Sequence, residues 1–265
     1  MNLDRLHEAA LHQLTGCRYA VLHALHVALC ESIPKTARGR PIRRTLWAQL
    51  VLTLIKLRLD LPYRTIEVMF RLDAVTAYRD VRRILTILSA LALKAPKGSA
   101  LSRFLIVDST GTRVRSTALR DHSGHKHHKR RKCQAIVTES GEIVSVSEAF
   151  AGSVHDKRIW NDAYGATKST LKQIVLADKA YVGARGEGQI LLRPHRRSDA
   201  AYKADKDSAK AFNRALSKIR VKVEHVFAQM KHFRVLSNLF PFHPDRYGEV
   251  FRAVAVIHNF KLQFK

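Results

Sequence analysis

Residues 104–110 read Phe104-Leu105-Ile106-Val107-Asp108-Ser109-Thr110, and their pattern is the main sequence signal for the class of fold. Its apolar residues follow one another without alternation and end at an acid, a pattern typical of a short strand buried on both faces. A second apolar run, residues 173–177, ends in the same way at Asp178. We therefore expect two buried strands, each with an aspartate directly after it.

The segments around these two runs predict the rest of a sheet. Residues 134–138 and 143–150 are strand-like and are joined by Glu139-Ser140-Gly141-Glu142, which indicates a β-hairpin. A helix is expected over 155–168 and a further short strand over 190–192. The order strand, hairpin, helix, strand, strand predicts a mixed α/β sheet with a helical crossover.

The region before this sheet has the pattern of helices only. Apolar residues at helical spacing run over 5–32, and a strongly apolar helix follows from about residue 39 to Arg58. The stretch Lys94-Ala95-Pro96-Lys97-Gly98-Ser99 then stops the helical pattern. We predict an all-α N-terminal domain over residues 1–95, and a second domain over residues 100–265.

Two helices of the first domain have the order of a helix-turn-helix. A short helix near 65–70 is followed by Arg71-Leu72-Asp73 and by a longer helix over about 75–91. The second helix would present Thr76, Arg79, Arg82 and Arg83 to DNA. Because the turn lacks Gly, a plain helical bundle is the alternative, and the basic charge favours DNA contact.

The charge of the chain points to a polyanionic partner. The 265 residues include 47 Lys and Arg against 22 Asp and Glu, which gives a formal net charge of +25. Nucleic acid and an anionic membrane are the two candidates. The most apolar stretch, 46–55, is about half the ~20 residues that a spanning helix needs, and the first residues do not resemble a signal peptide. We therefore expect DNA as the partner, no membrane association, and a cytoplasmic location.

The cysteines agree with that location. The chain has 3 cysteines, Cys17, Cys30 and Cys133. Their number is odd and no pair forms a CxxC motif, which fits free thiols in a reducing cytosol better than a disulfide framework or a zinc site.

Three acids stand out by position as candidate metal ligands. Asp108 and Asp178 end neighbouring strands, where carboxylates can converge. Glu224 lies on a long amphipathic helix predicted over 208–236, which can pack on the sheet and bring a third carboxylate. Clustered carboxylates repel one another unless a cation lies between them, and hard oxygen ligands suit Mg²⁺ or Mn²⁺. Two such ions about 3.5–4 Å apart can act on a phosphodiester.

The helix carrying Glu224 also places cations beside it. Arg220, Glu224 and Lys231 are spaced so that they share one helix face. Taken singly, an Asp after a strand is more often a turn residue, and a Glu four residues after an Arg is more often a solvated ion pair. The three acids in this order, in so basic a chain, favour a metal site.

These motifs resemble the DDE transposases of bacterial insertion sequences, specifically the insertion-sequence-five group related to Harbinger elements. The similarity runs from about Phe104 to the C-terminus. The matching pieces are Val107-Asp108-Ser109-Thr110, Ser123-Gly124-His125-Lys126, Val154-His155-Asp156, Ala177-Asp178-Lys179-Ala180-Tyr181, and Arg220-Val221-Lys222-Val223-Glu224-His225-Val226 with Lys231. Such families often have Gly where this chain has Ser109, and Gly where it has Ala180.

The resemblance implies a ribonuclease H-like core. It implies that Asp108, Asp178 and Glu224 are the catalytic and metal-binding triad. The cofactor would be Mg²⁺ or Mn²⁺, bound as two ions. It also implies an activity. Water would hydrolyse the bond at the element end, and the freed 3′-hydroxyl would attack target DNA. The partners would be double-stranded DNA, namely terminal inverted repeats and target, and a second copy of the chain in a homodimer or larger assembly at the bacterial nucleoid.

Two other functions fit the same residues. A related metal-dependent nuclease would use the same triad without transposing. A non-catalytic DNA-binding descendant is the other alternative, and the three intact acids argue against it.

The second carboxylate of the triad has a competitor, Asp156. His155-Asp156 opens the predicted crossover helix, where Asp is a natural cap, and it also matches a motif of the family. Asp178 is preferred because it ends a strand next to the first one. His155 and Asp156, like Arg220 and Lys231, are then expected to be accessory residues.

Two basic segments are expected to contact phosphate as loops. The first lies between the first two strands, beside Asp108, and its cations are Lys126, Lys129, Arg130, Arg131 and Lys132. The second lies near Asp178 and contains Arg196 and Arg197. The alternative for both segments is a charged loop that is exposed to solvent and does not contact DNA.

Overall fold

The computed structural model describes residues 2–33, 44–93, 102, 104–124, 127–164, 174–184 and 190–264. Their helices are α1 (Glu8–Thr15), α2 (Tyr19–Ser32), α3 (Leu46–Leu59), α4 (Tyr63–Phe70), α5 (Ala74–Ala90), α6 (Asp156–Ala163), α7 (Ala200–Ala204), α8 (Lys206–Met230) and α9 (Tyr247–Gln263). Their strands are β1 (Phe104–Arg113), β2 (His122–Ser123), β3 (His128–Thr138), β4 (Ile143–Val146), β5 (Phe150–Ala151), β6 (Ile174–Leu176) and β7 (Ile190–Leu192).

The chain divides into two compact units. One contains residues 1–94 together with 230–265, and the other contains residues 95–229. The first division, after residue 94, is next to the predicted end of the helical domain at residue 95, and the assignment of these units as domains stays a prediction. The second differs, because the predicted catalytic domain ran to residue 265, whereas the last 36 or so residues pack with the N-terminal helices.

The helical unit is built around α3. Its central residues are buried on every side, as expected for a helix enclosed by others. Thr45 caps its first turn by accepting a hydrogen bond from the Ala48 amide, and Asp60 ends it in a left-handed conformation. Lys56 is only 3% exposed, and its ammonium donates to Asp60 Oδ1 at 3.0 Å and to the Leu61 carbonyl at 2.8 Å.

The first predicted helix is in fact two helices. The pattern over 5–32 is interrupted because Gly16 has a φ of +71° and closes α1 with a backbone hydrogen bond to His12. Helix α2 then begins at Tyr19. Part of the predicted helix start, residues 39–43, lies outside the described residues.

The helix α9 completes the core of the helical unit. Val250, Phe251, Val254 and Ile257 are buried, so this helix has to be covered along most of its length. It packs on α5, where Arg252 Nε donates to the Ser89 carbonyl at 2.7 Å and Thr86 Oγ1 donates to Glu249 Oε1 at 2.7 Å. This packing is the physical reason for the difference in the C-terminal boundary.

The second unit contains a mixed sheet, as predicted, with seven strands among the described residues. Its order is β2-β3-β1-β6-β7, with β4 and β5 paired to β3. Strand β1 is antiparallel to β3, and the pairs β1–β6 and β6–β7 are parallel. One face of the sheet packs on α6, in a core that contains Leu105, Val107, Ile136, Val175 and Trp160.

Three elements of this unit differ from their predicted bounds. Strand β1 continues beyond Thr110 to Arg113 because it pairs residue for residue with an equally long β3. Strand β3 begins at His128, so most of the predicted basic loop is strand. Helix α8 ends at Met230 rather than Leu236, because Phe233 closes a turn onto the Met230 carbonyl.

Among the described residues, no helix is long and apolar enough to cross a membrane.

Candidate active site

Asp108 lies near the middle of β1, at the point where the buried part of the strand ends. It pairs across the ladder with Ala135, and its Oδ1 accepts a hydrogen bond from the Ser109 amide at 2.8 Å. Burial raises the pKa of Asp108 to about 6, the Ser109 amide and Arg220 lower it, and the charges of Asp156 and Asp178 raise it further. A carboxylate in this position would be favoured by a bound cation.

Asp178 follows β6 and lies beside Asp108. The parallel ladder pairs Ile106 with Leu176, and each aspartate comes two residues later on its strand. Asp178 is the more exposed of the two, with 48% of its side chain accessible. Its Oδ1 is 3.4 Å from Arg220 Nη1. The parallel pairing of β1 with β6 therefore places these two predicted ligands side by side, and their metal-binding role stays a prediction.

Arg220 on α8 is the cation of the site. Its side chain is 12% exposed, and its Nε is buried with no hydrogen-bond partner. A buried guanidinium group with an unused donor, next to two carboxylates, can bind an oxyanion such as a phosphate. The predicted accessory role of Arg220 stays a prediction, now supported by this geometry.

Glu224 lies one helical turn after Arg220, on the same helix, and its side chain is exposed. Within the described part of the chain, no group of three or more His, Cys, Asp or Glu side chains is arranged to hold a metal ion. Glu224 as third ligand therefore stays a prediction. Lys231, which was expected to share its helix face, follows the last residue of α8 and so lies outside that helix.

Asp156 is the first residue of α6, and it is held by three contacts. Its Oδ1 accepts from Ser109 Oγ at 2.5 Å and from Lys132 Nζ at 2.8 Å, and its backbone carbonyl accepts from Gln134 Nε2 at 3.2 Å. His155 precedes the helix with an exposed side chain that makes no capping hydrogen bond. Asp156 thus lies close to Asp108 but in a different set of interactions.

Gln134 and Tyr181 lie beside these acids, although neither was among the predicted site residues and only Tyr181 belongs to a quoted motif. Gln134 Nε2, which donates to the Asp156 carbonyl, also donates to Tyr181 OH at 2.7 Å, and both side chains are buried. Burial raises the pKa of the Tyr181 phenol. Tyr181 follows Asp178 by three residues, so Gln134 connects the segment after Asp178 to the start of α6.

Asp108 and Asp178 fit a divalent cation in their chemistry. Both offer hard carboxylate oxygens, which Mg²⁺ and Mn²⁺ prefer. The raised pKa of Asp108 reflects burial beside two other acids, and a cation between the carboxylates would offset that repulsion. These two residues are the described groups that would hold such an ion.

Comparison with known proteins decides the family. Residues 107–259, more than half of the chain, match the family model described as DDE superfamily endonuclease. The chain belongs to the DDE superfamily endonuclease family. A Streptomyces albus G protein assigned as transposase of insertion sequence element IS112 is 26% identical over 232 residues, which cover 88% of this chain and 86% of that protein.

A second relative agrees with this family, and a solved structure agrees with the fold. A Microchaete diplosiphon protein assigned as transposase of insertion sequence element IS702 is 27% identical over 178 residues, covering 65% of this chain and 61% of that protein. The fold resembles that of piggyBac transposase in a synaptic complex with hairpin DNA, with a TM-score of 0.53 at 9% identity, over 97% of this chain and 74% of that one. The resemblance to DDE transposases of bacterial insertion elements and the predicted fold class are confirmed.

The cations of the basic run in this DDE protein make contacts with other residues of the same chain. Lys126 lies outside the described residues, and the other four cations lie on β3. Lys129 Nζ donates to the Ser116 carbonyl at 2.5 Å, Arg130 donates to the Gly111 carbonyl, Arg131 pairs with Asp121 at 3.0 Å, and Lys132 pairs with Asp156. The expected loop is therefore a strand, and DNA contact by these residues stays a prediction.

The remaining predicted DNA-binding residues of the DDE protein differ in exposure. Arg79 and Arg82 on α5 are exposed, whereas Arg83 turns toward α3, where its Nη1 is 3.3 Å from Gln49 Oε1. Arg196 and Arg197 are exposed, and Arg196 Nη2 donates to the Lys179 carbonyl at 2.5 Å, directly after Asp178. Arg79, Arg82 and Arg197 have the exposure that phosphate contact requires.

Proposed function

We propose that this protein is a transposase that cuts DNA at the ends of an insertion element and joins those ends to target DNA. The observation that carries the proposal is that Asp108 on β1 and Asp178 just after β6 each lie two residues beyond the paired residues Ile106 and Leu176 of two parallel strands, with Arg220 in contact with Asp178. Membership of the DDE family agrees with it.

We assign the metal-binding role to Asp108, Asp178 and Glu224, with Mg²⁺ or Mn²⁺ as the cofactor, as two ions. The bound metal would supply an activated oxygen nucleophile and charge stabilisation at the phosphodiester. Arg220 would hold the scissile phosphate against Asp178, because its guanidinium is fixed by burial and has an unused donor.

The proposed partners are double-stranded DNA and a second copy of the chain. The net charge of +25 supports a polyanion, and the fold relative piggyBac transposase was determined with hairpin DNA. Two element ends have to be held at once, which we expect from a homodimer or larger assembly. The helices α4 and α5 would recognise the terminal repeats, and the protein would act at the bacterial nucleoid.

The proposal is tested by cleavage of a labelled duplex carrying the element's own ends. The assay compares Mg²⁺, Mn²⁺ and EDTA, with Asp178→Asn as the site variant. Asp162→Asn is the matched control, because Asp162 is an exposed acid of α6 whose contact is a surface ion pair with Arg158. We expect cutting at the ends that EDTA and Asp178→Asn abolish and Asp162→Asn leaves unchanged.

A second assay separates transposition from simple cleavage. Pre-cut ends are incubated with a supercoiled target, and joined products are counted. Joining supports the transposase, whereas cleavage without joining identifies the related nuclease. Salt-sensitive DNA binding with no cleavage in either metal would refute the enzyme and favour the non-catalytic DNA-binding descendant.

A further inference from the structure

Ser109, Lys132 and Asp156 form a connected group that we call the Asp156 clasp. The Ser109 hydroxyl and the Lys132 ammonium both donate to the same carboxylate oxygen of Asp156, at 2.5 Å and 2.8 Å. Both contacts are charge-assisted, and the Lys132 side chain is only 17% exposed. Such contacts hold a carboxylate far more firmly than an ion pair at the surface.

The sheet explains why these three residues meet. Ser109 pairs with Gln134, and Gly111 pairs with Lys132, so Ser109, Gln134 and Lys132 share one face of the sheet. That face also carries Leu105 and Val107, which pack with Trp160 of α6. Helix α6 begins with Asp156, and the helix that covers this face therefore delivers its first carboxylate to Ser109.

The Asp108 side chain lies on the opposite face of the sheet from the Ser109 side chain. Neighbouring residues of a strand direct their side chains to opposite faces, so Asp108 and Ser109 lie on different faces of β1. Asp156 is bound on the Ser109 face. Asp108 feels the charges of Arg220, Asp156 and Asp178, so all three lie near it, and Arg220 also contacts Asp178. The difference lies in the contacts: Asp156 is held by Ser109 and Lys132 on one face of β1, whereas Asp178 is held by Arg220.

We propose that Asp156 is a positioning residue, not a metal ligand, and that the Asp156 clasp fixes the strand segment that carries Asp108. This inference rests on the proposed function for its catalytic consequence. Ser109 is the link, because its hydroxyl binds Asp156 while its amide donates to Asp108 Oδ1 at 2.8 Å. Lys132 acts inside the protein as the counter-charge of Asp156.

Gln134 makes a similar connection between α6 and the segment that follows Asp178. It donates to the Asp156 carbonyl at 3.2 Å and to Tyr181 OH at 2.7 Å, three residues after Asp178. The clasp and Gln134 together tie the residues next to both proposed ligands to the first turn of α6. Loss of the clasp is then expected to misplace Asp108 without removing any ligand.

The first test measures Mn²⁺ binding to the full-length protein by electron paramagnetic resonance, which needs no cleavage. Asp178→Asn removes a proposed ligand and should abolish binding. Ser109→Ala and Asp156→Asn should each weaken binding by about tenfold or less, and the double variant should weaken it no further than Asp156→Asn, because that substitution already removes the charge-assisted contact with Ser109. Ser109→Thr keeps the hydroxyl and should restore wild-type affinity. If Asp156→Asn alone abolishes binding as Asp178→Asn does, Asp156 is a ligand and the proposal fails.

The second test follows cleavage of the labelled duplex against Mg²⁺ concentration. Ser109→Ala and Lys132→Met should raise the Mg²⁺ concentration at half-maximal rate, and Ser109→Thr should not. A Ser109→Ala protein that matches the wild type in both Mn²⁺ binding and Mg²⁺ dependence would overturn the clasp.

A third measurement tests the Asp156 clasp independently of the proposed function. If the wild type neither binds Mn²⁺ nor cleaves, the proposed function fails, and the clasp is judged by urea unfolding alone. Ser109→Ala and Asp156→Ala should then lower the midpoint by less in combination than the sum of their separate effects. Additive midpoint shifts would show that the two residues do not act together and would refute the clasp.

Discussion

At the scale of single residues, the charge balance around Asp108 governs the chemistry. Burial is the main cause that raises the pKa of Asp108, the Ser109 amide and Arg220 lower it, and the charges of Asp156 and Asp178 raise it further. Lys132 is bound to Asp156. Three acids against two cations leave an excess of negative charge, and a metal cation or a proton can offset it.

This balance predicts how stability changes with pH in the absence of metal. The pKa of Asp108 is raised from 3.8 to about 6, so the folded state holds a proton that the unfolded state has already lost. The contribution of Asp108 to the free energy of unfolding therefore falls as pH rises from about 4 to about 6. In EDTA at pH 7, Asp108→Asn should be more stable than the wild type by about 1–3 kcal/mol in urea unfolding.

The same comparison contains its own control. Near pH 4 both proteins are neutral at this position, and the difference in unfolding free energy should nearly vanish. Mg²⁺ should then stabilise the wild type and leave Asp108→Asn unchanged, since only a site with its ligands gains free energy from binding. A wild type that is more stable than Asp108→Asn at pH 7 in EDTA would contradict the assigned direction of the pKa shift.

The residues of the site were predictable to different degrees. Asp108 and Asp178 could be predicted because each ends an apolar run, and adjacent parallel strands bring such ends together. The contact of Ser109 with Asp156 joins residues 47 apart, and it depends on which face of β1 each side chain takes. A change of one residue in register would reverse that choice, and the sequence does not determine it by composition or spacing.

At the scale of elements, β3 shows how a basic segment can be part of a sheet. A run of cations with few apolar residues has the composition of a solvated loop, yet it continues the strand because each described cation finds an acceptor. Pairing with β1 through Arg113 supplies the backbone hydrogen bonds. The apolar half of β3 and the hairpin were predicted from pattern alone, whereas its basic half needed these long-range partners.

The close pairing of β1 and β3 at Gly111 gives a prediction for stability. A Cβ at Gly111 would lie 2.5 Å from the Arg131 carbonyl oxygen and 2.8 Å from Lys132 Cβ, so backbone has to shift. We expect Gly111→Ala to lower the unfolding free energy by about 1–3 kcal/mol. Gly124→Ala is the matched control, because nothing lies within 4 Å of its added Cβ. Equal urea midpoints for the two variants would show that the strands are not this close.

Helix α5 gives a prediction about DNA binding. Arg79 and Arg82 are exposed, and their loss should remove about two phosphate contacts, lowering the slope of log affinity against log salt by about 2. Arg83 instead contacts Gln49 Oε1, and Gln49 is 1% exposed. Arg83→Ala should leave the salt slope unchanged and cost about 1–3 kcal/mol of stability, because a buried acceptor loses its partner. The measurement is fluorescence anisotropy with a terminal-repeat duplex at several salt concentrations.

The opposite result for these variants would change the DNA-contacting face that is assigned to α5. If Arg83→Ala changes the salt slope and the Arg79→Ala/Arg82→Ala double variant does not, α5 does not present its exposed face to DNA. The exposed fractions, rather than the positions of arginine in the sequence, separate these residues. Helical spacing alone placed all three on the DNA-binding side.

At the scale of the whole molecule, the helical unit is discontinuous in sequence. It closes with a helix that comes after the entire sheet in the chain. The sequence predicted the N-terminal boundary, because Pro and Gly interrupt a helical pattern there. It did not predict the C-terminal boundary. An apolar helix at the end of the chain could pack on the helical unit or on the sheet unit, and the choice depends on how well its surface fits each one.

This architecture makes the N-terminal helices dependent on the C-terminus. Val254 on α9 is fully buried, and Val254→Asp places an unpaired charge in the core, with an expected cost of at least about 3 kcal/mol. Hydrogen exchange should then rise in α3 and α5, which are far away in sequence, because their core includes α9. Val144→Asp, at a valine that is 39% exposed on β4, is the matched control and should leave exchange in α3 and α5 unchanged. If residues 1–94 folded by themselves, α3 and α5 would keep their protection in Val254→Asp and only α9 would exchange faster, and the proposed DNA-recognition helices would then be an autonomous module.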